Sequence, residues 1–170
     1  MISKSRSFIG LLAIAILFVG STAAYVITKA DFKGDWSYNE SKSKVGESRF
    51  RRPAAKIKVS GEGESITIER SGTNQNGESV TQSEKLTFDG KASESTVFGS
   101  MKRSSVASWS ANGEEMNINS TISGERNGQT FEIKIAEVWK LTDGGKSLTI
   151  DSKSTTPNGE VSQTLVYDKN

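Results

Sequence analysis

The chain of 170 residues contains no cysteine and no histidine. Without cysteine it can form no disulfide and has no lipobox cysteine for a lipid anchor. Without histidine it lacks the Ser-His and Cys-His machinery of nucleophilic catalysis and the commonest protein ligand for metals. These absences lead us to expect a protein that is not an enzyme and that holds no metal or cofactor.

The chain is also poor in proline and has little net charge. Its only prolines are Pro53 and Pro157, and both fall outside the strands predicted below. Three of the 22 basic residues and none of the 20 acidic residues precede Asp31, which leaves a net charge of −1 from Asp31 onward. A nucleic-acid-binding domain would show a basic patch or stripe. We therefore expect no nucleic-acid partner.

The first 30 residues resemble an export signal. Lys4 and Arg6 are followed by an uncharged apolar run, residues 8–19, and then by small residues. This layout is typical of a secretory signal peptide. Cleavage after Ala24 would leave residues 31–170 as one domain with a short leading segment, and cleavage as late as Ala30 also fits. We expect a secreted or periplasmic protein whose signal forms a helix.

An uncleaved anchor is the alternative interpretation of the same segment. Residues 8–27 carry no charge over 20 positions, about the length that spans a bilayer. In that case the domain would contact the membrane only through this segment.

Asn-Gly and Asp-Gly pairs recur through the chain from residue 76 onward. Such pairs favour type I′ turns, whose twist suits a β-hairpin. Runs rich in Ser, Thr, Val, Ile and aromatic residues lie between them and favour strands. The pairs are Asn76-Gly77, Asp89-Gly90, Asn112-Gly113, Asn127-Gly128, Asp143-Gly144 and Asn158-Gly159. We predict strands at 33–39, 55–60, 64–71, 78–88, 92–98, 101–110, 114–122, 129–141, 147–155 and 160–168.

Alternation of apolar and polar residues indicates a sheet with one dry face. In 129–141 the apolar residues are Phe131, Ile133, Ile135, Trp139 and Leu141. A meander with no helix to cover its dry face covers it most simply by closing on itself. The predicted fold is therefore all-β, an antiparallel up-and-down meander of about eight to ten strands closed into a barrel.

Several motifs resemble those of exported bacterial lipocalin-like domains of the calycin type. They are Gly34-Asp35-Trp36 on the first strand, Glu40-Ser41-Lys42-Ser43, residues 137–149 (EVWKLTDGGKSLT) and residues 166–169 (VYDK). The resemblance implies a lipocalin-like barrel whose floor is closed by Trp36, with Lys169 as a basic residue packed on it. The chain departs from lipocalins in lacking their second and third motifs and a flanking helix.

Charged residues interrupt the inward-facing apolar positions. Glu137 shares strand parity with Trp139, and Glu84 shares it with Leu86. A buried carboxylate needs a partner, a proton or water. Arg70 and Arg103 have matching parity and are the candidate partners. The cluster is either a self-satisfied salt-bridge network or a polar anchor in a ligand cavity; a one-residue slip in register would turn these side chains outward.

Two functions follow from these patterns. In the first, the barrel binds a small apolar or amphipathic molecule inside. Its tentative ligand-binding residues are Trp36, Arg70, Glu84, Phe88, Arg103, Trp109, Phe131, Glu137 and Trp139. In the second, the protein is a non-enzymatic cell-envelope interaction or scaffold domain with a filled barrel, which would use its outer face or the basic segment 49–52.

Overall fold

The computed structural model describes residues 27–46, 53–61, 63–74, 76–126 and 128–170. This part of the chain forms ten antiparallel strands and one short 3-10 turn, Asp143–Gly145. The strands are β1 (Gly34–Tyr38), β2 (Lys56–Ser60), β3 (Ser65–Thr73), β4 (Ser79–Thr87), β5 (Ser93–Val97), β6 (Met101–Trp109), β7 (Glu115–Arg126), β8 (Gln129–Thr142), β9 (Ser147–Thr156) and β10 (Gly159–Lys169).

The strands follow one another as an up-and-down meander. The sheet has the order β4-β3-β2-β1-β10-β9-β8-β7-β6-β5, so that β1 and β10 also pair. The predicted meander is confirmed, and the predicted strand ends lie within two residues of the observed ends except at β7. That strand runs four residues further, to Arg126, because Gly124 pairs with Phe131 and continues the ladder.

The barrel is nearly closed, which corrects the prediction of a fully closed one. Strands β4 and β5 are the two ends of the sheet, and no backbone ladder joins them in the described part of the chain. Side chains bridge this edge instead. Arg103 and Ser105 of β6 both reach Glu84 of β4, so the polar side chains of the interior occupy the place where backbone hydrogen bonds are missing.

The Asn-Gly and Asp-Gly pairs lie between strands as predicted, but their predicted backbone conformation is wrong in most cases. A type I′ turn needs positive φ at both central residues. Among the pairs described in full, only Asp143-Gly144 has both, with φ of 51° and 64°. At Asn112-Gly113 only the glycine is left-handed, and Gly113 N donates to Ser110 O over 2.9 Å. The loop between β6 and β7, residues 110–114, is longer than the two-residue loop of a type I′ hairpin. It permits a type I turn followed by a left-handed glycine.

Residues 27–33 cross one end of the barrel before β1 begins. Ala30 N donates to Gly113 O in the loop between β6 and β7, at 2.9 Å, and Phe32 is buried in the core. The predicted signal helix, residues 1–24, lies outside the described residues, as does the basic segment 49–52. Across the residues that the structure describes, none of the helical segments is long and apolar enough to cross a membrane.

Candidate functional site

Inward-facing residues form three layers along the barrel. The floor is an aromatic layer at the end crossed by residues 27–33, made of Phe32, Trp36, Phe88, Trp109 and Trp139. The polar belt lies above it and contains Arg70, Glu84, Arg103, Ser105, Ser120 and Glu137. The rim cluster lies toward the other end and contains Val97, Met101, Ile122, Ile133 and Ile135. Strand β6 crosses all three layers through Trp109, Arg103 and Met101.

The floor is closely packed. Phe32 stacks on Trp109 with ring centroids 5.8 Å apart and meets Trp139 edge-on at 6.2 Å. Trp36 is fully buried, and its Nε1 donates to Phe32 O at 3.0 Å. Lys169 Nζ lies 5.2 Å from the centroid of the Trp36 ring, a contact that the resemblance to lipocalin-like domains implied. These contacts make the floor a closed apolar layer.

Arg70 of β3 joins the two carboxylates of the polar belt. Its Nη1 donates to Glu84 Oε1, and its Nη2 donates to Glu137 Oε2 at 2.9 Å. The guanidinium carbon also lies 5.4 Å from the centroid of the Trp139 ring, and Trp139 Nε1 donates to Glu137 Oε2 at 3.1 Å. Arg70 thereby ties the belt to the floor, and its two ion pairs join residues that strand parity predicted as partners.

Arg103 is bound differently. Its Nε lies 3.4 Å from Glu84 Oε2, and its Nε and Nη2 both donate to the Ser120 hydroxyl, at 3.2 and 3.1 Å. Ser105 donates to Glu84 Oε2 at 3.3 Å and lies 2.9 Å from Ser120 Oγ. The second terminal nitrogen of Arg103, Nη1, makes no hydrogen bond to the described residues. This guanidinium therefore keeps unused donor capacity inside the barrel.

The two guanidinium groups differ in electrostatic compensation. Burial lowers the pKa of Arg70, but Glu137 and Glu84 together outweigh it and raise that pKa above its usual value. Burial lowers the pKa of Arg103, and repulsion from Arg70 adds to this, against the opposing attraction of Glu84 and Glu137. Arg103 thus carries the less compensated charge of the belt.

The structure divides the nine predicted site residues into groups. Trp36, Phe88, Trp109 and Trp139 come together in the floor, and Arg70, Glu84, Arg103 and Glu137 come together in the belt. Phe131 belongs to neither group. Its ring faces Gly124 near the far end of β7, where an added Cβ would lie 3.0 Å from Phe131 Cζ.

Sequence reasoning missed the two serines of the belt. Ser105 and Ser120 are almost completely buried, and their hydroxyls complete the surroundings of Arg103. Their inward parity in β6 and β7 was readable from the sequence, but serine is too common in this chain for parity alone to select them.

Two concavities lie on the outside of the barrel. A cleft of about 630 Å³ is bordered by Lys42, Asp143, Lys146, Ser147, Asp168 and Lys169. A smaller groove of about 440 Å³ crosses the outer face of the sheet from Ser104 to Glu160. In the cleft, Asp168 accepts hydrogen bonds from Asn39, Lys42 and Ser147, which together lower its pKa to about 2.

Comparison with known proteins shows a likeness of fold. No protein-family model matches the sequence, and no curated protein matches it. Among solved structures, the zebrafish ileal bile acid-binding protein complexed with cholic acid is similar, with a TM-score of 0.50 and 16% sequence identity. The match covers 82% of this chain and 98% of that chain. At this identity the likeness shows a shared fold alone, an antiparallel β-barrel.

Proposed function

We propose that the barrel binds a small amphipathic molecule whose anionic group lies against Arg103. One observation carries this proposal: a buried polar belt stands between two apolar layers inside the barrel. Ligand pockets of this kind combine an apolar lining with a few polar groups that fix orientation. A molecule with one anionic group and an apolar body matches that alternation.

Arg103 is the better anchor of the two arginines. Arg70 donates to two carboxylates and is compensated by both. Among the described residues, Arg103 forms an ion pair with one carboxylate, Glu84 at 3.4 Å, and donates to the Ser120 hydroxyl. A guanidinium binds a carboxylate through paired N–H donors. The Nη1 and Nη2 edge of Arg103 supplies that geometry if the ligand displaces the Ser120 hydroxyl.

The apolar part of the ligand would extend toward the rim cluster. Met101 and Ile133 are only partly buried, and Val80 is 37% exposed on the inward side of β4. Apolar surface left open at this end supports entry there rather than through the packed floor. The similar barrel from zebrafish is a bile acid-binding protein with cholic acid bound, and this amphipathic ligand agrees with the class proposed here.

Arg103→Gln tests this proposal with a matched pair of probes. One probe is a fluorescent fatty acid, and the other is its methyl ester. We expect the variant to weaken binding of the acid about 10- to 100-fold, because a hydrogen bond to a charged group contributes about 1.5–3 kcal/mol. Binding of the ester should hardly change. Lys102→Gln, an exposed outward-facing neighbour in β6, is the control.

Native mass spectrometry of protein purified from its own host provides the second readout. We expect a retained small molecule. Protein that is consistently ligand-free and takes up neither probe would contradict binding inside the barrel. Equal loss of acid and ester binding in Arg103→Gln would contradict the role of Arg103 as the anchor of the anionic group. It would not contradict binding inside the barrel.

A filled scaffold barrel is the competing function, and one observation favours it. Both concavities described above lie outside the barrel, while Trp36 and Trp139 of the floor are fully buried. A non-enzymatic cell-envelope interaction domain would use that outer surface. It predicts no probe uptake and no effect of Arg103→Gln on any binding.

We also propose that the protein is exported. The basic start, the apolar run and the small residues before Tyr25 support a secretory signal. Retention as a membrane anchor is the alternative. Fractionation of the host distinguishes the two: a signal gives soluble, shortened protein outside the cytoplasm, and an anchor gives full-length protein with the membrane.

A further inference from the structure

We propose that residues 27–33 belong to the folded domain. A leader peptidase would therefore remove the signal by cleaving after Ala24 and not after Ala30. This inference rests on the proposed export. The sequence permits both cleavage sites, since small residues precede each. The contacts of residues 27–33 with the floor distinguish between the two cleavage sites.

Residues 27–30 cover the outer side of the floor. Lys29 Nζ lies 5.6 Å from the centroid of the Phe88 ring and 5.7 Å from that of Trp109. It also lies 3.9 Å from Glu64 Oε2 in the loop between β2 and β3. The lysine thereby joins the aromatic floor to a loop from a different part of the sheet.

The backbone of the same segment is fitted to the loop between β6 and β7. Ala30 N donates to Gly113 O at 2.9 Å. The fit is close, because a Cβ at Gly113 would lie 2.7 Å from Ile27 Cγ2 and 3.0 Å from Thr28 O. Such close packing against Gly113 indicates that residues 27 and 28 are part of the folded domain and not an unstructured remnant of a leader.

Cleavage after Ala30 would remove these contacts and place a charged amino group at Asp31. That group would lie one residue from Phe32, which is 3% exposed and packs on Trp109 and Trp139. Gly113 O would lose its hydrogen bond, and the Phe88 and Trp109 rings would lose the lysine above them. Cleavage after Ala24 leaves every one of these contacts intact.

The first test is the intact mass of the exported protein, expressed as the full chain. We expect the mature form to begin at Tyr25. A stable mature form that begins at Asp31 would overturn the inference. A chain that keeps residues 1–24 would contradict signal removal, and the second test then decides the domain boundary independently of export.

The second test is native digestion of the full chain with trypsin, which cuts after Lys29 and Lys33 only where the local structure opens. We expect cleavage at these two lysines to be no faster than global unfolding. Phe32→Ala, which opens the floor, should make both sites cleave faster and is the positive control. Rapid cleavage after Lys29 in the unaltered protein would show that the segment is outside the folded domain.

Discussion

Arg103 of β6 extends to Glu84 of β4, with 3.4 Å between Nε and Oε2, across the edge at which the backbone ladder of the barrel is interrupted. The same carboxylate accepts hydrogen bonds from Arg70 and Ser105. Glu84 therefore connects β3 and β4, at one end of the sheet, with β6, near the other end. The ionic cluster closes the barrel as well as lining it.

Glu84→Gln should strongly destabilise the fold. The variant keeps the shape of the side chain but leaves Arg70 and Arg103 with Glu137 as their remaining carboxylate in the belt. Breaking a buried ion pair by removing one partner costs about 3–5 kcal/mol. Urea denaturation would measure the change in the free energy of unfolding. Glu94→Gln, an exposed glutamate of β5, should change that free energy by less than about 0.5 kcal/mol. Equal stabilities of the two variants would contradict a closing role for Glu84.

Ser120→Ala should destabilise the fold by a smaller amount. The Ser120 hydroxyl accepts two hydrogen bonds from Arg103, and its loss leaves buried donors unpaired. Such a loss costs about 1–3 kcal/mol. Ser108→Ala, on the exposed face of β6, is the matched control and should be near neutral. The comparison is made by thermal unfolding, and a neutral Ser120→Ala would show that Arg103 finds other acceptors.

Gly113→Ala and Gly90→Ala separate backbone strain from packing of the floor segment. The two glycines have φ of +75° and +78°. The free-energy cost of holding alanine in the left-handed region is therefore similar at both positions. Only at Gly113 does the new Cβ meet residues 27 and 28, whereas Gly90 has open space. We expect Gly113→Ala to lower the free energy of unfolding by about 1–3 kcal/mol more than Gly90→Ala does, as overpacking does elsewhere. Equal effects would indicate that residues 27–28 do not pack there in solution.

Asp168 should contribute to loss of stability in acid. Hydrogen bonds from Asn39, Lys42 and Ser147 lower its folded-state pKa to about 2, below the usual value of 3.8. A depressed pKa means that the unfolded state takes up the proton first, so this stabilisation is present above about pH 4 and is lost as the pH falls toward about 2. Melting temperatures between pH 5 and pH 2 should fall less steeply for Asp168→Asn. Ser147→Ala, which removes one donor, should give an intermediate slope.

The features that the sequence predicted well are local ones. Strand alternation has a period of two, so the parity of Glu137 with Trp139 and of Glu84 with Leu86 already placed both carboxylates inside. The same parity identified Arg70 and Arg103 as their partners. Turn positions followed from glycine-containing pairs, although loop length, which depends on the register of the flanking strands, decided the turn type at Asn112-Gly113.

Other features depended on contacts between distant parts of the chain. The interruption between β4 and β5 could not be read from either strand, because it depends on how far the curvature of eight other strands brings the two edges together. The packing of Ile27 and Lys29 on the floor was hidden by their position beside the apolar run. By sequence both residues belong to the export segment, and only the tertiary structure places the loop that carries Gly113 beside them.

The amino-acid sequence by itself determined an all-β meander, the inward face of β3, β4, β6 and β8, and the four charged residues that these strands place inside, because alternation and turn chemistry act between near neighbours. The tertiary structure alone decided that, among the described residues, Arg70 pairs with two carboxylates while Arg103 pairs with one carboxylate and a serine hydroxyl. That difference in compensation arises from distances between strands far apart in the chain, and it is what makes Arg103 the proposed anchor.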